Sequence, residues 1–140
     1  SAFLLNALPI FDCYHISPEH NIILFIEEVE ESLHDIDRLF YMLRLQGDLE
    51  RVTGIILGEF FAVRYDLQYD SVEEMLSKHI QDPKIPVCCG FPAGSNSCIP
   101  LIMGAPVELD VTPDNSTLTF LMSGEQHYYW IDKSEKQLLK

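Results

Sequence analysis

The chain has 140 residues, and 22 Asp and Glu against 9 Lys and Arg leave a formal charge of −13. That length holds one domain, and 47% hydrophobic with 11% aromatic residues is enough for a packed core rather than a disordered chain. The acidic balance excludes nucleic acid, whose affinity rests on neutralising phosphates with Lys and Arg, and disfavours anionic membrane surfaces.

The longest uninterrupted apolar run, Ile22 to Ile26, falls far short of the roughly 20 residues of a membrane-spanning helix. Ser1 to Ile10 is apolar but lacks the basic start of a signal peptide. Cys13, Cys88, Cys89 and Cys98 form no CxxC pair or zinc spacing, and vicinal Cys88-Cys89 reads as core. A reducing compartment is therefore the expected setting.

Phe3 to Phe11 is β-compatible and broken by Pro9, and a polar connection follows from His15 to Asn21. Ile22 to Ile26 is apolar without alternation, the mark of a strand buried on both faces. Ser32 offers an N-cap, Ile36, Leu39, Phe40 and Leu43 follow at helical spacing, and Gly47 should end that helix. Val52 to Leu57 reads as a second buried strand. Ser71-Val72-Glu73-Glu74 resembles a capping box opening a helix that Asp82-Pro83 stops. Ile85 to Cys89 is a further strand, followed by a loop rich in Gly, Pro and Ser. Val107, Leu109 and Val111, then Leu118, Phe120 and Met122, alternate with polar residues around a turn at Pro113-Asp114-Asn115, which predicts a hairpin; Tyr128 to Ile131 could add a strand. The fold class expected is mixed α/β, with two main helices and an antiparallel β finish.

Glu27, Glu28, Glu30, Glu31, Asp35 and Asp37 crowd one short stretch without a Lys or Arg. Three readings stand open: a solvated strand end leading into a helix N-terminus, a hard-cation site that lacks the EF-hand's Gly and terminal Glu, and a functional role for Glu27. The last arises because Glu27 directly follows a buried strand, where α/β sheets gather functional groups, and a carboxylate there could orient a catalytic histidine. The loop after the third apolar strand lacks the Lys of a P-loop. No GxSxG nucleophile elbow occurs, and His15, His20, His34, His79 and His127 form no metal pair. No cofactor is expected.

Several segments in order carry a family resemblance: Leu24-Phe25-Ile26-Glu27-Glu28-Val29, Ile36-Asp37-Arg38-Leu39, Val52-Thr53-Gly54-Ile55-Ile56-Leu57-Gly58-Glu59-Phe60, Gly90-Phe91-Pro92-Ala93-Gly94 and Pro100-Leu101-Ile102-Met103-Gly104-Ala105. From about residue 20 to residue 121 the series resembles the C-terminal domain of the LD-carboxypeptidases, the muramoyltetrapeptide carboxypeptidases and microcin C immunity peptidases. The resemblance implies a swivelling β/β/α domain from a cytoplasmic, metal-free serine peptidase of murein peptide recycling. It implies a Ser-His-Glu triad whose serine lies in an N-terminal domain, with Glu27 as the carboxylate and Gly90, Phe91, Pro92 and Gly94 in the site's loop.

Two departures qualify it. Only about 20 residues precede the matching stretch, so the nucleophile domain is expected to be absent from this chain. The family's loop reads Gly-Phe-Pro-x-Gly-His, and Ser95 stands where the histidine belongs, in a loop about one residue shorter than usual. A serine hydroxyl does not take up a proton near neutral pH as imidazole does, so the chain alone is expected to be inactive; His79 or His127 could replace the imidazole only by moving in. The partners implied are the nucleophile domain, a murein-type peptide and a second copy of the chain. The alternative is a free-standing, non-catalytic domain that binds a peptide or a protein.

Overall fold

The computed structural model describes residues 2–6, 19–65, 68–121 and 126–132. In chain order these form β1 (Ala2–Asn6), β2 (Ile22–Val29), α1 (Leu33–Gln46), a 3-10 turn (Asp48–Arg51), β3 (Val52–Phe61), α2 (Val72–His79), β4 (Val87–Cys89), the short β5 (Ala93–Gly94) and β6 (Ser97–Cys98), then β7 (Pro106–Val111), β8 (Asn115–Leu121) and β9 (Gln126–Asp132). The mixed α/β expectation is met. Pro9, Cys13, His15 and most of the predicted polar connection lie outside the described residues.

One sheet organises the chain. Its strand order is β4-β3-β2-β1-β7-β8-β9, parallel from β4 through β1 and antiparallel from β1 through β9. The two halves differ because helices join the parallel strands β2, β3 and β4, whereas the turn Thr112–Asp114 joins β7 to β8. There the Thr112 amide donates to the Asn115 carbonyl at 2.8 Å.

Strands β2 and β3 are covered on both faces, which explains their unbroken apolar runs. On one face Ile22, Leu24, Ile26, Ile55 and Leu57 meet Leu33, Ile36, Phe40 and Leu43 of α1 and Val72, Met75 and Leu76 of α2. On the other, Ile23, Phe25 and Ile56 meet Phe91, Ala93 and Ala105 of the segment between β4 and β7, with Val107, Leu118 and Phe120 from the antiparallel strands. Both helices begin as their sequences predict. Ser32 Oγ accepts the Asp35 amide of α1 at 3.3 Å, and Ser71 Oγ accepts the Glu74 amide of α2 at 3.0 Å. The Glu74 carboxylate reaches back one residue further than a capping box requires, accepting the Asp70 amide at 2.8 Å. Helix α1 stops at Gly47, whose φ of 82° suits a residue without a Cβ.

The hairpin β5–β6 is an element the sequence reading treats as loop. Its strands pair only Ala93 with Cys98 and Gly94 with Ser97, too few residues for an alternating pattern to register. What holds it in place is tertiary.

Candidate functional site

The carboxyl end of the parallel strands carries Glu27 on β2 and, beside it on β3, the residues on which the loop after β4 packs. Along β2, Ile23 and Phe25 pack on the face opposite the helices, and alternation puts Glu27 next on that face. Glu27 is half-buried, and its Oε2 is shielded from solvent with no hydrogen-bond partner among the described residues. A carboxylate oxygen taken out of water without a donor costs about 1–3 kcal/mol or more, so it acts as an acceptor still lacking its donor.

Beside Glu27 the sheet is irregular. Ile26 pairs with Leu57, but Glu28 pairs with Phe60, so Gly58 and Glu59 of β3 both lie opposite Glu27. This is a β-bulge, a feature that re-aims a side chain at a strand end. Gly58 gives up its side chain because a Cβ there would lie 2.5 Å from the Ala93 carbonyl oxygen and 2.8 Å from the Phe25 ring. We expect Gly58→Ala to cost about 1–3 kcal/mol, since a backbone carbonyl and a buried ring give way only by moving the hairpin. Urea denaturation reads the loss directly, and a change below about 0.5 kcal/mol contradicts this packing.

The second bulge residue, Glu59, reaches the hairpin. The Ser97 hydroxyl donates to its Oε1, and the Asn96 amide donates to its Oε2 at 2.7 Å. The Ser97 hydroxyl first, then the Asn96 amide, hold the Glu59 carboxyl below the ordinary carboxylate range. With a lowered value in the folded state, this anchorage is present above the unfolded-state pKa and is lost as the pH falls through the folded one.

The resemblance loop runs directly over this bulge. The Phe91 amide donates to the Leu57 carbonyl at 2.9 Å, and the Phe91 ring is buried in the core. Gly90 and Gly94 have φ of 69° and 148°, and a Cβ at Gly94 would lie 2.8 Å from Glu59 Cβ. Gly94 therefore requires glycine, and the left-handed backbone at Gly90 favours it. Ser95 is exposed at the tip and makes no hydrogen bond among the described residues. A cleft of about 450 Å³ opens between Gly58, Glu59, Phe60 and Phe61 on one side and Gly90, Phe91, Pro92, Asn96 and Ser97 on the other.

The acidic run does not converge on one point. Glu28 accepts its neighbour's amide, from Val29, at 2.9 Å. Asp35 accepts the Ser32 hydroxyl at 2.6 Å and Arg38 at 3.0 Å, and the Ser32 bond chiefly holds its carboxyl below the usual value. Asp37 turns to α2, where His79 Nε2 lies 2.6 Å from its Oδ1. Among the described residues no group of three or more His, Cys, Asp and Glu could hold a metal. His79 itself sits in the helix layer, stacked on Phe40, across the sheet from Ser95. The side chain of His127 lies outside the described residues.

Sequence reading placed Glu27 and Gly90 to Gly94 together but gave Glu59 no role. The available signal was Gly58: a glycine inside an apolar strand marks a bulge or a close backbone approach.

Comparison with known proteins identifies the family. A family model for the LD-carboxypeptidase C-terminal domain matches residues 7–109. The chain belongs to the LD-carboxypeptidase family. Over 106 residues, 72% of the chain, it is 40% identical to the Synechocystis carboxypeptidase slr1534. It is 31% identical to the microcin C7 self-immunity protein MccF of Escherichia coli over 98 residues, 69% of the chain. It spans only 34% and 28% of those two relatives. The structure of MccF in complex with glutamyl sulfamoyl guanosine superposes with a TM-score of 0.54 over 66% of this chain and 29% of that one, at 28% identity. A muramoyltetrapeptide carboxypeptidase from Oxalobacter formigenes shares the fold, with a TM-score of 0.54 over 91% of this chain and 44% of that one, at 21% identity. Among the described residues no helix is long and apolar enough to cross a membrane.

Proposed function

We propose that this chain is the C-terminal domain of a serine LD-carboxypeptidase-like protein that handles murein-type peptides in the cytoplasm, with Glu27 in the place of the triad carboxylate. The observation that carries the reading is the shielded Oε2 of Glu27, an acceptor without a donor at the carboxyl end of a buried strand. In a triad that oxygen receives an imidazole N–H, which fixes the tautomer of the base that deprotonates the serine. Here the serine belongs to an N-terminal domain outside this chain, and the position for the imidazole is Ser95. Phe61 and Tyr65, exposed at and just beyond the end of β3, are apolar surface that the second domain would cover. In the chain alone the same surface supports self-association.

A second reading is a domain that binds a peptide without cleaving it. The cleft beside Phe60, Phe61 and Pro92 favours it, because binding there requires no histidine, and the acidic charge suits a ligand with exposed amines.

Both are tested with a murein tetrapeptide ending in D-alanine. No D-alanine is expected from this chain or from the complete protein, and release at the rate of a histidine-bearing homologue overturns the inactivity. Shifts of the Phe61, Gly90 and Asn96 amide resonances on adding the peptide support a site in the cleft. Unchanged resonances at millimolar peptide remove the binding reading.

A further inference from the structure

We propose that Glu59 is a positioning residue: its carboxylate, turned to the loop by the bulge opposite Glu27, fixes the turn Gly94–Ser97 and with it the side chain at position 95. The inference rests on the reading that position 95 is where the family's catalytic imidazole stands. It says what holds that position in place.

The turn cannot hold itself. Its strands pair two residues each, and a two-stranded ribbon even of ordinary length is marginal in water. Ser95 and Asn96 at its tip are exposed. Ala93 packs its base into the core, and among the described residues the tip is tied to the sheet through one carboxylate, which accepts from Ser97 on one oxygen and from Asn96 on the other. Hydrogen bonds to an ionised acceptor are the strong kind, and two of them from successive residues fix orientation as well as distance.

The surrounding glycines fit this anchorage. The approach of Gly94 to Glu59 leaves no room for a Cβ, and Gly58 lets Ala93 settle on the bulge. Were Gly58 and Glu59 in regular register, alternation would send Glu59 to the helix side, away from the hairpin. The inserted residue gives β3 an acidic side chain on the loop face just where β2 presents Glu27. The two neighbouring carboxylates divide the work: Glu59 accepts from the loop on both oxygens, while Glu27 keeps an oxygen without a donor.

The test uses the amide resonances of the intact chain. Glu59→Ala is expected to move the Asn96 amide proton upfield and to speed hydrogen exchange across residues 94–97 about tenfold or more, with Ile55 and Leu57 unchanged. Glu59→Gln keeps an acceptor for the Asn96 amide and a partner for Ser97, and should recover most of the protection. Ser97→Ala removes one of the two bonds without touching β3; it should give a smaller loss, and it serves if Glu59→Ala does not fold. Unchanged exchange at 94–97 in both Glu59→Ala and Ser97→Ala overturns the anchorage.

The second arm uses Ser95→His in the complete protein. There Glu59→Ala should lower kcat about tenfold or more with little change in KM, and Glu59→Gln should restore it. A loosened turn with unchanged kcat overturns the positioning role. A loosened turn in a Ser95→His protein with no activity supports the anchorage and counts against the triad reading instead.

Discussion

Ser95→His in the complete protein, with its proposed nucleophile domain, is expected to raise D-alanine release at least ~100-fold, part of the ~10⁴–10⁶ that a complete triad contributes. The reason is the state of Glu27. Its Oε2 is shielded and without a hydrogen-bond partner, so an imidazole placed over the loop meets an acceptor already free of water. A serine at position 95 offers a hydroxyl too short to span that role and too weak a base to take the nucleophile's proton. Recovery is expected to be partial, because the loop is shorter than the family's and is held to Glu59. A misplacement of about 1 Å is enough to cost about 100-fold. The measurement is steady-state release of D-alanine from a murein tetrapeptide, wild type against Ser95→His, with Glu27→Gln in the Ser95→His background as control. If the histidine variant stays at the wild-type level while its fold and its peptide binding are intact, position 95 and Glu27 do not form a working His–Glu pair in this protein.

The largest effect on stability is expected at the contact between the two helices. His79 closes α2 with its side chain only 4% exposed, Nε2 lies 2.6 Å from the Asp37 carboxylate of α1, and the ring stacks on Phe40 at 5.3 Å between centroids. An ionised carboxylate only accepts, so Nε2 carries the proton and donates. Arg44 of α1 adds a second link, donating to the His79 carbonyl at 3.1 Å. His79→Ala removes a buried ring and leaves Asp37 without its partner, a combined loss of about 3 kcal/mol. For a chain of this size that lowers Tm by about 10 °C. Asp37→Ala should cost less, about 2 kcal/mol, because the ring and its stacking survive while Nε2 loses its acceptor. Thermal unfolding of the two single variants and the double variant separates the pair's coupling from the packing. A loss below 1 kcal/mol for His79→Ala would show that the pair does not tie α1 to α2. The imidazole's second nitrogen, Nδ1, is buried without a hydrogen-bond partner among the described residues, so this histidine serves as a packed link in the helix layer rather than as a proton shuttle for the loop across the sheet.

Both helices, their caps and the run of parallel strands were legible because each rests on local chemistry. Ser32 and Ser71 are good N-caps wherever a helix follows, Gly47 accepts a positive φ that a Cβ resists, and Ile22 to Ile26 are apolar without alternation because both faces of β2 are covered. The alternation of Val107, Leu109 and Val111 likewise reports a strand covered on one face only. The hairpin β5–β6 was not legible, since two residues per strand make no period and its anchor, Glu59, lies 37 and 38 residues from its donors. The acidic run was half legible. Its charge was plain and Asp35 fell within the Ser32 N-cap motif, but nothing local showed that Asp37 crosses to α2 and that Glu27 stays without a donor.

By itself the amino-acid sequence determined the fold class, the order of the helices and main strands, and the family. These follow from periodicity, capping and motif order, which act between near neighbours or are inherited along the chain. The tertiary structure alone decided which carboxylate does what. The bulge at Gly58 and Glu59 exists only because β3 pairs with β2, and the orphan oxygen of Glu27 exists only because the same packing shuts out water. Solvent access and partners at distant positions are properties of the packed chain, and they separate an acidic strand end from a site.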